Sequence, residues 1–248
     1  MAQPSPDRLN LLYRVSQAFN SSLDLDEVLK RVMDEVIATT RAERGFVVLF
    51  WADAGWVRFF LRQSATRPEE FKRLKMFVTA GETEQYDLMR SAGYSPVALE
   101  WSNVLTALQT GMIDAVPTIP YFALAMQLHT AATTMLELNW APLVGGTVVS
   151  RRTWESLSPE QRAAMQQAAA EAGRRFQARG RVESDEAVSA MRGRGMRVVP
   201  VTPQIEAEWR TVSEQLYPRI RGTMVPADMF DEVVRLLAEY RARPGGRD

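Results

Sequence analysis

Short apolar runs and a helical pattern alternate in the middle of the chain. Val97 to Leu99 is an apolar run of the kind that forms a buried strand. Apolar residues then recur at helical spacing from Ser102, a candidate N-cap, to Gly111. Ile113 to Val116 is a second apolar run, which Pro117 and Pro120 are expected to end. The pattern predicts a strand–helix–strand unit of an α/β protein, and such units place ligands at the carboxyl ends of their strands.

The chain on either side of this unit continues the α/β pattern. Ser158-Pro159-Glu160 has the N-cap, first-turn proline and early acid of a helix start. The helix is predicted to run to about Gly180, and continuation to Arg192 stays open, since Gly173 and Gly180 weaken a helix without forbidding it. The other predicted elements are an N-terminal helical hairpin within 1–44, strands at 46–50, 74–78 and 196–201, a loop feeding a strand at 140–149, and helices at 204–217 and 227–241.

Composition narrows the classes of function. The chain has 248 residues, 30 basic and 30 acidic, so its zero net charge does not favour nucleic acid or an anionic membrane as partner. It has no cysteine, which excludes disulfides, thiol catalysis and cysteine-ligated metal. It has one histidine, His129, which makes a histidine-based triad or a multi-histidine zinc site improbable. No enzyme motif was found, so we expect no catalytic residue, no metal and no cofactor.

The amino terminus bears on location. The first residues, MAQPSPDRLNLLYR, lack the basic start and long apolar core of a secretory signal. No stretch of about 18 apolar residues predicts a membrane-spanning helix either. As written, the chain is expected to stay in the cytoplasm.

The central run SPVALEWSNVLTALQTGMIDA resembles the solute-binding proteins of TRAP transporters, of the DctP type. It departs from the family pattern at Asn103 and Leu105, where glutamate and tyrosine are usual. The resemblance extends from about residue 44 almost to the end. It implies an α/β, periplasmic-binding-protein-like (type II) partial fold, mainly the second lobe plus a long interlobe helix. The predicted domains are a helical segment, 1–44, and a solute-binding-protein-like domain with an incomplete first lobe, 45–248.

The first fifth of the chain suggests another relationship. LLYRVSQAFNSSLDLDEVLKRVMDEVIATTRAERGFVVLF resembles the opening of a GAF sensor domain, and the remainder of a GAF domain does not follow. Two alternatives stay open beside a transport function. One is a cytoplasmic sensor or interaction module in which these helices form a homodimer, and the other is a non-functional fusion of two fragments.

The TRAP resemblance also implies where a ligand binds. The family's carboxylate-binding arginine falls at Phe77, which removes the planar donor pair that selects carboxylates. The family's aromatic ligand contact matches Trp101, and its ligand-binding asparagine matches Thr118. Phe77 has a competing interpretation as a core residue, and Trp101 has one as a packing aromatic.

Three further residues complete the predicted ligand site. Arg58 lies within one residue of a second basic ligand position of the family, and a surface arginine is the competing interpretation. Tyr121 lies near the same strand end and could add a phenol hydroxyl. Thr79 ends the predicted strand that contains Phe77 and could hydrogen-bond an anion.

The resemblance implies non-covalent capture of a small organic acid between two hinged lobes. The partners would be that ligand and the TRAP membrane permease subunits, with no nucleic acid. The family works in the periplasm, in contrast to the location expected from the amino terminus as written.

Overall fold

The computed structural model describes residues 45–242. The predicted N-terminal helical hairpin and all but the last six residues of the GAF-like string therefore lie outside the described residues, as does the end of the tail. The strands within 45–242 are β1 (Phe46–Leu61), β2 (Lys75–Thr79), β3 (Ser95–Leu99), β4 (Ala115–Thr118), β5 (Thr134–Ser150) and β6 (Arg197–Pro200).

Helices alternate with these strands, as the α/β pattern predicts. Short 3₁₀ turns lie at Trp101–Asn103 and Leu128–Thr130. The α-helices of the described residues are α1 (Pro68–Phe71), α2 (Thr83–Ser91), α3 (Val104–Thr110), α4 (Pro120–Ala125), α5 (Arg151–Ser156), α6 (Pro159–Gly193), α7 (Pro203–Ile220) and α8 (Ala227–Arg241). Within these residues, no helix combines the length and the apolar content needed to cross a membrane.

The strands form a mixed sheet in the order β3-β2-β4-β1-β5-β6. The pairs β2–β3 and β2–β4 are parallel, and β5–β6 is also parallel. β1 runs antiparallel to β4, with Arg58 opposite Thr118. Parallel neighbours need crossover connections, and helices α2 and α3 supply them between β2, β3 and β4. The sheet therefore presents the carboxyl ends of these three strands along one edge.

The chain divides into two compact units, each built from two separate segments. The described part of the first unit is 45–56 with 142–185, and that of the second is 57–141 with 186–242. Strands β1 and β5 and helix α6 each contribute residues to both units.

Two buried clusters hold the second unit together, one on each face of the sheet. Side chains alternate along a strand, so Phe60 and Phe59 of β1 enter opposite clusters. The cluster around Phe60 includes Phe77, Leu108, Val116, Met135 and Met191, and we call it the upper core. The opposite cluster includes Phe59, Phe71, Leu136 and Trp209. Trp209 lies 5.5 Å from Phe59 between ring centroids, and its indole N–H donates to the Thr66 carbonyl over 2.8 Å.

The first unit contains the start of the long helix α6. The Ser158 Oγ accepts a hydrogen bond from the Gln161 N–H over 3.2 Å, and the Gln161 side chain accepts one from the Ser158 N–H over 2.9 Å. This reciprocal pair is a capping box, and it confirms the predicted helix start. Of the two ends left open by the sequence, the later one is observed, because α6 passes Gly180 and ends at Gly193.

Four element predictions were wrong in their bounds. The strand predicted at 46–50 extends to Leu61, and the predicted loop after Trp140 is part of the 17-residue strand β5. Pro117 does not end β4, which continues to Thr118. The proline ring suits an extended backbone, and β4 pairs with β2 at Ala115, two residues before the proline. Ser102 does not cap α3, because a 3₁₀ turn already includes it. The terminal helix 227–241 is confirmed.

Candidate functional site

Three of the predicted residues lie along one edge of the sheet in the second unit. Thr79 and Thr118 are the last residues of the parallel strands β2 and β4. Thr79 pairs with Leu99, the last residue of β3. Arg58 joins them from the antiparallel strand β1, since it pairs with Thr118. We call Arg58, Thr79 and Thr118 the polar rim.

The polar rim lies on the same face of the sheet as the upper core. Thr79 is two residues beyond Phe77, and Thr118 is two residues beyond Val116, so each points to the side of its buried neighbour. Arg58 is likewise two residues from Phe60 on β1. On each of the strands β1, β2 and β4, a side chain that can form hydrogen bonds therefore lies next to a buried apolar side chain on the same face of the sheet. A small polar molecule at this edge would meet apolar packing below it and donors beside it.

Trp101 lies beside the rim in the 3₁₀ turn that follows β3. Its ring meets Phe77 edge-on at 4.6 Å between centroids, with an interplanar angle of 65°. It also meets Phe122 of α4 at 5.0 Å and 84°. These contacts fix the orientation of the indole, which stays partly exposed. Trp101 can therefore provide a rigid aromatic wall.

Phe77 and Tyr121 have contrasting positions. The Phe77 side chain is only 2% exposed and belongs to the upper core, directly under Trp101. Its position agrees with the interpretation as a core residue, and contact with a ligand stays a prediction. Tyr121 is 53% exposed in the first turn of α4, immediately after β4. It is placed to contribute from solvent rather than from the buried layer.

Arg58 is the charged member of the polar rim. Its side chain is 13% exposed, and one Nη lies 3.6 Å from a carboxylate oxygen of Glu137. Its Nε is buried and has no hydrogen-bond partner among the described residues. A buried donor without a partner is costly, because it has lost its hydration without replacement. Arg58 therefore keeps donor capacity that a bound anion could use.

The sequence interpretation missed Glu137. This residue lies on β5, two residues beyond the buried Met135 of the upper core, so it faces the same side as the polar rim. An alternation of apolar and polar residues in Met135-Leu-Glu-Leu-Asn was the available signal. No strand is predicted at 135–139, so the sequence does not place a carboxylate beside Arg58.

A separate cavity lies in the first unit. Its volume is about 240 Å³, and its lining comes from residues 48–51 of β1 and from four residues of α6. None of the six predicted site residues lines it. The polar rim is thus an open edge of the second unit, and this cavity is a different feature.

The fold is similar to that of solved TRAP periplasmic solute binding proteins. A TRAP periplasmic solute binding protein from Shewanella oneidensis, with bound succinate, matches with a TM-score of 0.73 at 19% identity, over 91% of this chain and 73% of that one. Another from Pseudomonas putida F1, with bound D-glucuronate, matches with a TM-score of 0.72 at 20% identity, over 88% and 67%. The predicted periplasmic-binding-protein-like α/β fold is confirmed.

The sequence itself gives the family. Residues 13–222 match the model of DctP, bacterial extracellular solute-binding protein, family 7, and the chain belongs to this family. The C4-dicarboxylate-binding periplasmic protein DctP of Rhodobacter capsulatus is 22% identical over 189 residues, which are 76% of this chain and 56% of that protein. The chain thus spans little more than half the length of that relative. The resemblance to TRAP solute-binding proteins is confirmed, while the GAF resemblance and the domain boundary at 44/45 stay predictions.

Proposed function

We propose that this protein is the solute-binding component of a TRAP transporter and captures a small organic acid at the polar rim. The observation that carries the proposal is the change from buried apolar residues to hydrogen-bonding groups at the carboxyl ends of β2 and β4 and at Arg58 of the neighbouring strand β1. Ligands of open α/β sheets bind at this edge. The family and the succinate- and glucuronate-bound structural neighbours support the same ligand class.

Arg58 is the residue that we assign to the carboxylate. A guanidinium offers parallel N–H donors that match the two oxygens of a carboxylate. The buried Nε of Arg58 has no partner among the described residues, so a ligand oxygen would satisfy it. Thr79 and Thr118 would add hydroxyl groups, and Trp101 would cover the apolar part of the ligand. Phe77, in this proposal, supports Trp101 from below.

The proposed partners follow from the family. The protein would bind its ligand outside the cytoplasm and deliver it to TRAP membrane permease subunits, which agrees with the periplasmic location of the Rhodobacter capsulatus relative. The ligand would be bound and released without covalent change, so the proposed activity is binding and not catalysis.

The proposal is tested by thermal unfolding of the purified chain with a panel of small mono- and dicarboxylic acids. A ligand of the native state raises the midpoint, and at 100 times its dissociation constant it contributes about 2.7 kcal/mol. We expect at least one acid to raise the midpoint of the unaltered chain. Arg58→Met should remove that increase, and the matched control Arg90→Met, on the exposed face of α2, should keep it.

Two results would contradict the proposal. One is a cooperative transition that no acid in the panel moves. The other is an increase that Arg58→Met and Arg90→Met retain equally, which would place acid binding away from the polar rim.

A further inference from the structure

Arg58 has a negatively charged neighbour, Glu137, on the same side of the sheet. Glu137 lies 3.6 Å from the Arg58 guanidinium, and its side chain is 38% exposed. This distance makes an ion pair but exceeds a hydrogen bond, so each group keeps unused hydrogen-bonding capacity. The two side chains bring one positive and one negative charge to the same place on the sheet.

A dicarboxylate fits this pair poorly. Its first carboxylate would bind Arg58, and its second would need another cation. The position that the family resemblance gives to a carboxylate-binding arginine is occupied by Phe77, which is buried in the upper core. A carboxylate bound to Arg58 would also approach Glu137, and like charges at short range oppose binding. The pair therefore penalises ligands that carry only negative charge.

A zwitterion fits the same pair well. Its carboxylate would take the free Nε and an Nη of Arg58, and its protonated nitrogen would donate to Glu137. Both charges of the protein would then be paired by opposite charges of the ligand, and such charge-assisted hydrogen bonds are stronger than neutral ones. The partly exposed Glu137 can adjust its position to a ligand, since within 45–242 it is held by a long ion pair and by no hydrogen bond.

We propose that the polar rim selects small zwitterions, which carry one carboxylate and one protonated nitrogen, and that Glu137 is the specificity-determining residue. This inference rests on the proposed function, since it names the ligand class of the same site. It adds a second recognition group on β5 to the donors on β1, β2 and β4. It also explains how a site without the family's carboxylate-binding arginine can still bind an acid.

The test is isothermal titration of the full chain with four probes of similar size: propionate, β-alanine, succinate and ethylammonium. We expect β-alanine to bind most tightly, by about tenfold over propionate, since one charge-assisted hydrogen bond is added. Succinate should bind more weakly than β-alanine, and ethylammonium alone should bind least.

Variants at one position separate charge from shape. Glu137→Gln keeps the size of the side chain and should abolish the preference for β-alanine over propionate. Glu137→Asp keeps the charge and should retain the preference. Glu155→Gln is the matched control, because Glu155 pairs with Arg151 on α5 in the first unit over 3.2 Å and should leave all four affinities unchanged.

Each result has one meaning. If propionate or succinate binds more tightly than β-alanine to the unaltered chain, the inference is overturned and the proposed organic-acid binding stands. If the preference for β-alanine survives Glu137→Gln, the role of Glu137 is overturned. If none of the four probes binds and no acid moves the thermal midpoint, both the inference and the proposed function fail.

Discussion

At the scale of single residues, buried and exposed aromatic side chains next to the polar rim have separable roles. Phe77 is buried in the upper core and supports Trp101, whereas Tyr121 is largely exposed. We expect Phe77 to contribute to stability and Tyr121 to contact solvent or ligand. This difference can be measured without knowing the ligand.

Phe77→Ala should destabilise the protein by about 3–5 kcal/mol, because a buried aromatic ring is lost and a cavity remains. Tyr121→Ala, the matched exposed aromatic, should change stability by about 0.5 kcal/mol or less. Urea unfolding followed by circular dichroism measures both values. Equal losses for the two variants would contradict the assignment of Phe77 to the core.

His129 gives the second unit a dependence on pH. Its Nδ1 is buried without a partner among the described residues, and its Nε2 lies 3.5 Å from an Arg194 Nη. Burial, and then the charge of Arg194, lower the pKa of His129 below its ordinary value of 6.5. The unfolded chain therefore binds a proton more readily than the folded one, so stability falls as pH drops below 6.5 toward the folded-state pKa.

We expect the urea midpoint of the unaltered chain to fall between pH 7.5 and pH 5.5 by more than that of His129→Asn. Asparagine cannot take up the proton, so the difference between the two curves isolates this group from the carboxylates. Parallel curves for the two proteins would show that His129 does not contribute.

The sequence could predict part of the candidate site for a local reason. Thr79, Trp101 and Thr118 follow strands that the apolar pattern marks, so their place at the sheet edge was predictable from nearby residues. Glu137 was not, because its position beside Arg58 depends on a strand far along the chain joining the sheet next to β1. Neighbour order in a sheet is set by long-range packing, which a local pattern does not contain.

At the scale of elements, two glycines of α6 mark a close approach within the first unit. A Cβ at Gly173 would lie 3.2 Å from the Phe50 side chain, and one at Gly180 would lie 3.0 Å from the Asp53 carbonyl oxygen. The Arg181–Asp53 ion pair, at 2.8 Å, holds the same region together. These glycines weaken the isolated helix, but they allow β1 to pack closely against it. Helix propensity alone does not explain why glycine lies at these two positions.

Gly180→Ala should therefore lower the thermal midpoint by about 2–4 °C, although alanine favours a helix by about 1 kcal/mol over glycine. The added methyl group would meet a backbone atom, which cannot move aside as a side chain can. Gly193→Ala is the matched control, because no atom of the described residues lies within 4 Å of a Cβ there. A higher midpoint for Gly180→Ala would show that β1 and α6 do not approach closely.

The strand β5 shows why some element predictions failed. Pro142, Gly145 and Gly146 carry the usual signs of a loop, yet all lie inside a 17-residue strand. The pattern there has no buried face to detect, since the side chains from Leu143 to Val148 are exposed. Pairing with neighbouring strands overrode the local preference, and β propensity is known to depend on such context.

At the scale of the whole molecule, neither unit is a continuous stretch of sequence. The second unit draws its buried clusters from both of its segments: Val188, Met191 and Met196 complete the upper core, and Trp209 completes the opposite cluster. A boundary drawn along the sequence cannot represent this arrangement. Alternating apolar patterns along the sequence predict the α/β class. They do not predict which segments share a unit, because that depends on contacts between residues more than 100 positions apart.

A cut between Ala141 and Pro142 tests this interdependence. The fragment 1–141 would expose Phe59 and Phe71, which pack on Trp209 at ring distances of 5.5 and 4.9 Å. We expect neither 1–141 nor 142–248 to unfold cooperatively alone, and we expect their mixture to recover a cooperative thermal transition and the near-ultraviolet circular dichroism of the intact chain. The buried clusters of the described residues end at Trp209, so a truncation after Gly222 is the matched control and should keep the transition. Cooperative unfolding of 1–141 by itself would mean that the second unit is stable without its later segment, and that the Trp209 contacts are not needed for the fold.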